Sequence, residues 1–127
     1  MAPPKGTETI LLAEDDINVR NLIKSVLEEY GYKVIEAVDG NDAIGKFREN
    51  KGRIQLALLD VIMPKKSGKE AYDQIRKISP DIRALFMSGY TADFIKKKEV
   101  MEKGLNFVFK PISPMELLKK IREALKK

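Results

Sequence analysis

The sequence predicts a doubly wound α/β domain: a five-stranded parallel sheet of order 2-1-3-4-5 between helices, in three layers. Three observations carry this. Short apolar runs alternate five times with segments of helical periodicity along the 127 residues, the rhythm of consecutive β-α units. Four of the five runs are continuously apolar after their first residue, as parallel strands covered on both faces are. The run Lys33–Ala37 instead alternates polar with apolar residues, and in the 2-1-3-4-5 order the second strand is a half-exposed edge. A chain of this length forms one domain with a hydrophobic core.

Residues 1–8, "MAPPKGTE", are rich in Pro, Gly and polar residues and read as a linker or tail, leaving 9–127 as the folded domain. The first strand is expected at Thr9–Ala13. The helix after it carries a stripe of Val19, Leu22, Ile23, Val26, Leu27 and Tyr30 and stops at Gly31, a residue suited to a left-handed cap. The second strand, Lys33–Ala37, leads to a helix over about Gly40–Asn50 that uses Ala43, Ile44 and Phe47. The third strand, Gln55–Leu59, precedes a helix with Ala71, Tyr72, Ile75 and Ile78 that breaks before Pro80. The fourth strand, Arg83–Met87, is followed by a helix over about Ala92–Lys103 ending at Gly104. The fifth strand, Asn106–Phe109, precedes Ser113-Pro114-Met115-Glu116, a capping-box signature with Pro at the first helical position, and then Leu117, Leu118, Ile121 and Leu125. Lys126 and Lys127 suit the negative end of that helix's dipole.

Composition removes several chemistries. There is no cysteine and no histidine, so disulfides, thiolate or imidazole metal sites and Ser-His or Cys-His catalysis are excluded. The chain is equally unable to carry a phosphohistidine. At 43% hydrophobic and 34% charged it has the balance of a soluble globular chain, and a cytoplasmic one is expected. No apolar run nears the roughly 20 residues of a membrane span, so no membrane contact is expected. Much of the net charge of +5 sits in Lys96-Lys97-Lys98 and the last nine residues, without interleaved aromatics. That reads as a solvated face, and no direct nucleic-acid contact is expected.

In such sheets ligands bind beyond the carboxyl ends of the strands, near the switch between the first and third. The first strand delivers Glu14-Asp15-Asp16 there, the third Asp60, the fourth Ser88-Gly89 and the fifth Lys110-Pro111. Each has a plainer reading alone. Asp15 or Asp16 (the better candidate) would cap the helix beginning near Ile17, Ser88 would form a turn, and Lys110 would sit in a solvated loop. Their convergence on one rim favours chemistry. Glu14, Asp15 and Asp60 would crowd three carboxylates, which repel without a cation. Oxygen-only ligands point to a hard ion, and a few carboxylates with waters and a phosphoryl group suit Mg²⁺. Asp60 can act as an in-line nucleophile, since carboxylates form acyl phosphates. Lys110 offers a mobile point charge for phosphate oxygens and can neutralise the acids when no phosphoryl group is present.

The motifs "LLAEDDINVR", "LLDVIMPKKSG", "MSGYT" and "FKPISPMELL" occur in that order and spacing. With them the chain, from Thr9 to Lys127, resembles the receiver domains of two-component signalling. The resemblance implies a flavodoxin-like (βα)5 fold. It also implies that Glu14 and Asp15 are the metal-binding acidic pair, and that Asp60 is the phosphoacceptor and a ligand of Mg²⁺. The backbone carbonyl of Ile62 would be a further ligand. Ser88 would be the hydroxyl residue that follows the phosphoryl group, Lys110 the family's lysine, and Phe107 the switch aromatic. The Lys110-Pro111 peptide is typically cis in the family. Two departures stand out: Glu14 replaces the commoner Asp, and Phe107 lacks a phenol hydroxyl. Ile62 and Tyr90 occupy positions that influence acyl phosphate hydrolysis in relatives, and two bulky groups there would exclude attacking water.

The "GTETILLAEDD" start and the "MSGYT" loop resemble receivers at the C-terminal end of hybrid sensor histidine kinases. The phosphodonor implied is a histidine kinase or histidine phosphotransfer domain. The output implied is altered affinity of the helix 4–strand 5–helix 5 face for a protein partner, with no enzyme turnover beyond the domain's own phosphorylation and dephosphorylation. A stand-alone single-domain regulator is the alternative. An aspartyl-nucleophile phosphatase is more remote, because Val61-Ile62 replaces the D-x-D continuation and no cap insertion fits. A flavodoxin-like cofactor carrier is disfavoured because "EDDIN" would repel phosphate. A degenerate docking domain would not need the complete acid-Ser-Lys set.

Overall fold

The computed structural model describes residues 4–89 and 106–126. The expected fourth helix, with Lys96-Lys97-Lys98, and Tyr90 lie outside the described residues. Within them the order is β1 (Thr9–Ala13), α1 (Ile17–Glu29), β2 (Lys33–Ala37), α2 (Gly40–Glu49), β3 (Leu56–Asp60), α3 (Gly68–Ile78), β4 (Arg83–Ser88), β5 (Asn106–Phe109) and a C-terminal helix (Pro114–Lys126). The five strands form one sheet of order β2-β1-β3-β4-β5, and every neighbouring pair is parallel.

Two strands run one residue further than the apolar pattern indicates. Asp60 pairs with Met87 in the β3–β4 ladder, and Ser88 pairs with Phe109 in the β4–β5 ladder. The backbone ladder continues through these polar tips because paired amides are satisfied whatever side chain they carry. At the other end Gln55 lies outside β3, yet its N–H donates to the Thr9 carbonyl (3.0 Å) and its side-chain oxygen accepts from the Thr9 N–H (2.7 Å).

Two apolar clusters pack on the two sheet faces. One joins Leu11, Leu59 and Phe86 to Ala43 and Phe47 of α2 and Ala71 and Ile75 of α3. The other joins Ile10, Leu58 and Leu85 to Ile23 and Leu27 of α1 and Leu118 and Ile121 of the C-terminal helix. β3 is buried at every position, whereas β2 grades from exposed Lys33 to buried Ala37, as an edge strand does. Helix α1 buries a narrower stripe than its sequence pattern indicates. Leu22 is 58% exposed, because it lies on the flank of the Ile23–Leu27 line and opens onto a cleft shared with Pro111 and Ile112.

Local chemistry ends the helices. Asp16 Oδ1 caps α1 by accepting the Asn18 and Val19 N–H groups (2.9 and 3.2 Å). At the other end Gly31, with φ 99°, donates to the Glu28 carbonyl while Tyr32 donates to that of Leu27, a Schellman motif. Ser67 and Glu70 form a reciprocal capping box at the start of α3. In the C-terminal helix the Glu116 N–H reaches Ser113 Oγ only at 3.5 Å. The lead segment is tied to the domain as well. Gly6 donates to the Tyr30 carbonyl at 3.0 Å, and Arg122 Nη1 donates to Glu8 Oε1 at 2.8 Å. Among the described residues no helix is long and apolar enough to cross a membrane.

Candidate functional site

The parallel register brings the tips of β1, β3, β4 and β5 to one rim, and Glu14, Asp15, Asp60, Ser88 and Lys110 lie on it. Glu14 follows β1 directly and is buried; Asp15 beside it is exposed. Asp60, the last residue of β3, is 4% exposed. Carboxylate oxygens of Glu14, Asp15 and Asp60 all lie within 4.8 Å of one another. Asp16, the neighbouring acid, is occupied in capping α1.

Glu14 is held from several directions. Its N–H donates to the Ala37 carbonyl (3.1 Å), its Oε2 accepts the Asp16 N–H (3.1 Å), and its carbonyl accepts from Arg20 Nη1 (2.8 Å). Lys110 reaches into the same space. Its Nζ stands 2.7 Å from Glu14 Oε1 and 3.1 Å from Asp60 Oδ2. Toward Asp60 the contact is a hydrogen bond. Toward Glu14 Oε1 the contact is a close ion pair.

These neighbours shift the ionisation of the site. Burial, and then the charge of Glu14, push Asp60 from the ordinary 3.8 up to about 7, although Lys110 opposes both. Burial would lower the Lys110 pKa, but its contacts with Glu14 and Asp60 outweigh that and hold it above the usual lysine value. Three acids with one ammonium leave the rim net negative. The donor set is all oxygen, with carboxylate oxygens of Glu14, Asp15 and Asp60 within 4.8 Å of one another. Such a set fits a small hard divalent cation of the Mg²⁺ kind.

Ser88, fully buried at the end of β4, donates through Oγ to the Gly89 carbonyl at 3.4 Å. Its own carbonyl accepts the Lys110 N–H at 2.8 Å, which joins the hydroxyl and ammonium residues through the backbone. The Lys110-Pro111 peptide is cis. Ile62 lies on the loop beyond Asp60 with its side chain 42% exposed. That loop is wound tightly: Lys66 donates to the Pro64 carbonyl, Gly68 donates to that of Val61, and Lys65 adopts φ 70°. Phe107 is 8% exposed, with its ring centroid 6.4 Å from Phe86 and 6.1 Å from Phe109.

Sequence reasoning missed two supports of this rim. Arg20 grips the Glu14 carbonyl, and Asp39, the cap of α2, stands 3.7 Å through Oδ2 from Lys65 Nζ on the loop after Asp60. Neither contact has a local pattern, since each joins elements that only the folded sheet brings together.

Residues 10–122 match the family model described as the response regulator receiver domain. The chain is 34% identical over 122 residues to the sensor kinase CckA of Brucella abortus (strain 2308), aligning 96% of itself with 13% of that protein. It thus spans about an eighth of that relative's length. Among solved structures, a response regulator receiver domain protein from Clostridium thermocellum superposes with a TM-score of 0.86 at 28% identity, covering 94% of each chain. The receiver domain of the hybrid histidine kinase CckA superposes with a TM-score of 0.77 at 31% identity, covering 92% of this chain and 98% of the other.

Proposed function

The chain belongs to the response regulator receiver domain family of two-component signalling, and from that premise we propose that Asp60 is its phosphoacceptor and that the rim around it is a Mg²⁺-dependent switch. The observation that carries the proposal is the convergence of Glu14, Asp15, Asp60 and Lys110, from three different strand ends, on one partly buried space.

In the proposed reaction an Asp60 carboxylate oxygen attacks the phosphorus of a phosphohistidine on a kinase or phosphotransfer domain. The new O–P bond forms as the P–N bond breaks, and the imidazole leaves with the electron pair. Asp60 must be ionised to attack, and Lys110 together with a bound cation would favour that form. Glu14, Asp15 and Asp60, with the Ile62 carbonyl, would hold Mg²⁺, which supplies positive charge against the charge spreading over the phosphoryl oxygens. Lys110, now shared between two carboxylates, turns toward a phosphoryl oxygen as negative charge arrives there. The Ser88 hydroxyl, held to Gly89 by only a 3.4 Å contact, is available to donate to another. Movement of Ser88 would let Phe107 repack, and the face of the expected fourth helix, β5 and the C-terminal helix would change affinity for a protein partner. This is a two-state population shift. Exposed Ile62 would stand over the acyl phosphate and slow its hydrolysis.

Receiver domains are signalling modules, and we infer no substrate turnover beyond self-phosphorylation and dephosphorylation. We place the domain in the cytoplasm, in contact with kinase and effector proteins. The likeness to the CckA receiver supports a hybrid-kinase setting. A stand-alone regulator is the second reading, and the full open reading frame decides between them. The acceptor proposal is tested by incubating the chain with a small phosphodonor and Mg²⁺ and measuring intact mass. One added phosphoryl group, lost in Asp60→Asn, is expected; no gain, or equal labelling of the variant, would contradict it.

A further inference from the structure

Arg20 in α1 carries a guanidinium only 11% exposed on its side chain, placed between two acids of different strands. Its Nη1 donates to the Glu14 backbone carbonyl at 2.8 Å and its Nε to Glu36 Oε1 at 3.2 Å. Glu36 lies on β2, opposite Leu12 of β1, and its second oxygen is held by Lys24 Nζ at 3.1 Å. Lys46 of α2 donates to the Glu36 carbonyl at 3.1 Å. Partial burial pushes Glu36 toward the neutral form, but the bonds from Lys24 and Arg20 outweigh it and hold its pKa below the ordinary value.

The carbonyl that Arg20 grips belongs to the peptide joining Glu14 to Asp15. Glu14 is fixed at its N–H by the Ala37 carbonyl and at Oε2 by the Asp16 N–H. Without a hold on its carbonyl, that peptide plane is free to turn, and the direction of Asp15 turns with it. Charge alone gives no reason for an arginine here, since a cation beside a cation site weakens binding by repulsion. Geometry does: a rigid planar fork holds two acceptors in fixed directions, whereas an ammonium on a flexible stem, with rotatable donors, fixes neither direction. Groups that orient metal ligands act on affinity through such contacts.

We propose that Arg20 is a positioning residue: anchored on Glu36, it sets the peptide between Glu14 and Asp15 so that both carboxylates face the cation site. The proposal rests on reading the rim as a Mg²⁺ site.

The test is calorimetric titration of the chain with MgCl₂, comparing wild type with Arg20→Lys, Arg20→Met and Glu36→Gln. The backbone ¹⁵N shift of Asp15, whose nitrogen adjoins the gripped carbonyl, is followed in parallel. Arg20→Lys keeps the charge and loses the fork; it should weaken Mg²⁺ binding by about tenfold and move the Asp15 resonance. Arg20→Met should do the same, although removing a positive charge by itself would tighten binding. Glu36→Gln, which leaves Arg20 in place but loosens its anchor, should weaken binding less and covers the case in which either Arg20 variant does not fold. Wild-type affinity in Arg20→Lys and Glu36→Gln, with tighter binding in Arg20→Met, would overturn the proposal while leaving the Mg²⁺ reading intact. Failure of the wild type to bind Mg²⁺ would overturn both.

Discussion

Asp60→Asn should make the protein more stable at neutral pH, opposite to the usual effect of removing a well-placed side chain. Burial and Glu14 raise the Asp60 pKa from 3.8 to about 7, so the folded state binds this proton more tightly than the unfolded chain does. Below pH 4 both states are protonated and there is no penalty. As pH rises toward 7 the unfolded chain ionises first, and the folded state loses stability at about 1.4 kcal/mol per pH unit. Above pH 7 the loss is complete, on the order of 4 kcal/mol from that slope. Asparagine keeps the shape without the charge, but its amide is a poorer partner for Lys110. We therefore expect roughly half of that, about 2 kcal/mol, to be recovered at pH 8. At about 3–5 °C per kcal/mol for a domain of this size, the midpoint should rise by about 6–10 °C. The assay is thermal or urea unfolding in chelator at pH 4 and pH 8. Mg²⁺ should narrow the gap by stabilising the wild type, by about 1.4 kcal/mol at ten times its dissociation constant. A variant no more stable than wild type at pH 8, or equally stabilised at pH 4, would refute the reasoning.

Removing the other side of the pair should have the opposite sign. Lys110→Met leaves buried Glu14 and Asp60 facing each other, and urea unfolding at pH 8 without metal should show a loss of about 3–5 kcal/mol. The loss should shrink at pH 5, where Asp60 is protonated. Gly40→Ala would drive a methyl group into the Lys66 carbonyl oxygen, a backbone contact that forces the loop after Asp60 away, and about 1–3 kcal/mol should be lost in denaturant titration. Gly45→Ala, on the same helix with open space around it, should be neutral or gain up to about 1 kcal/mol. Ser67→Ala removes one arm of the α3 capping box and should lower unfolding free energy by about 1 kcal/mol.

The order of elements and the rim acids were legible because they have local signatures. Apolar runs mark buried parallel strands, and the polar residue at the end of each run marks its tip. Asp60 is an example: nothing in Leu56–Leu59 explains a charge at the next position except a site at the strand's end. Ser67-x-x-Glu70 was equally local and could have been read as the start of α3. Other features depend on tertiary placement and left no such mark. Leu22 fits an apolar stripe by spacing, yet the helix rolls so that Ile23 and Leu27 take the core. Arg20 looks like an ordinary surface arginine until β2 brings Glu36 beside it. Glu8 and Arg122 meet across 114 positions, which ties down part of a segment whose composition reads as a tail.

The central claim is that Asp60 is the residue that carries the phosphoryl group. The most direct measurement is borohydride trapping after incubation with a phosphodonor and Mg²⁺, followed by peptide mapping. Borohydride reduces an aspartyl phosphate to homoserine and so marks the acceptor position itself. Homoserine is expected at position 60 and at no other aspartate, with none formed when Mg²⁺ is chelated. Homoserine at Asp15 or Asp16, or its absence from position 60 in the phosphorylated protein, would contradict it.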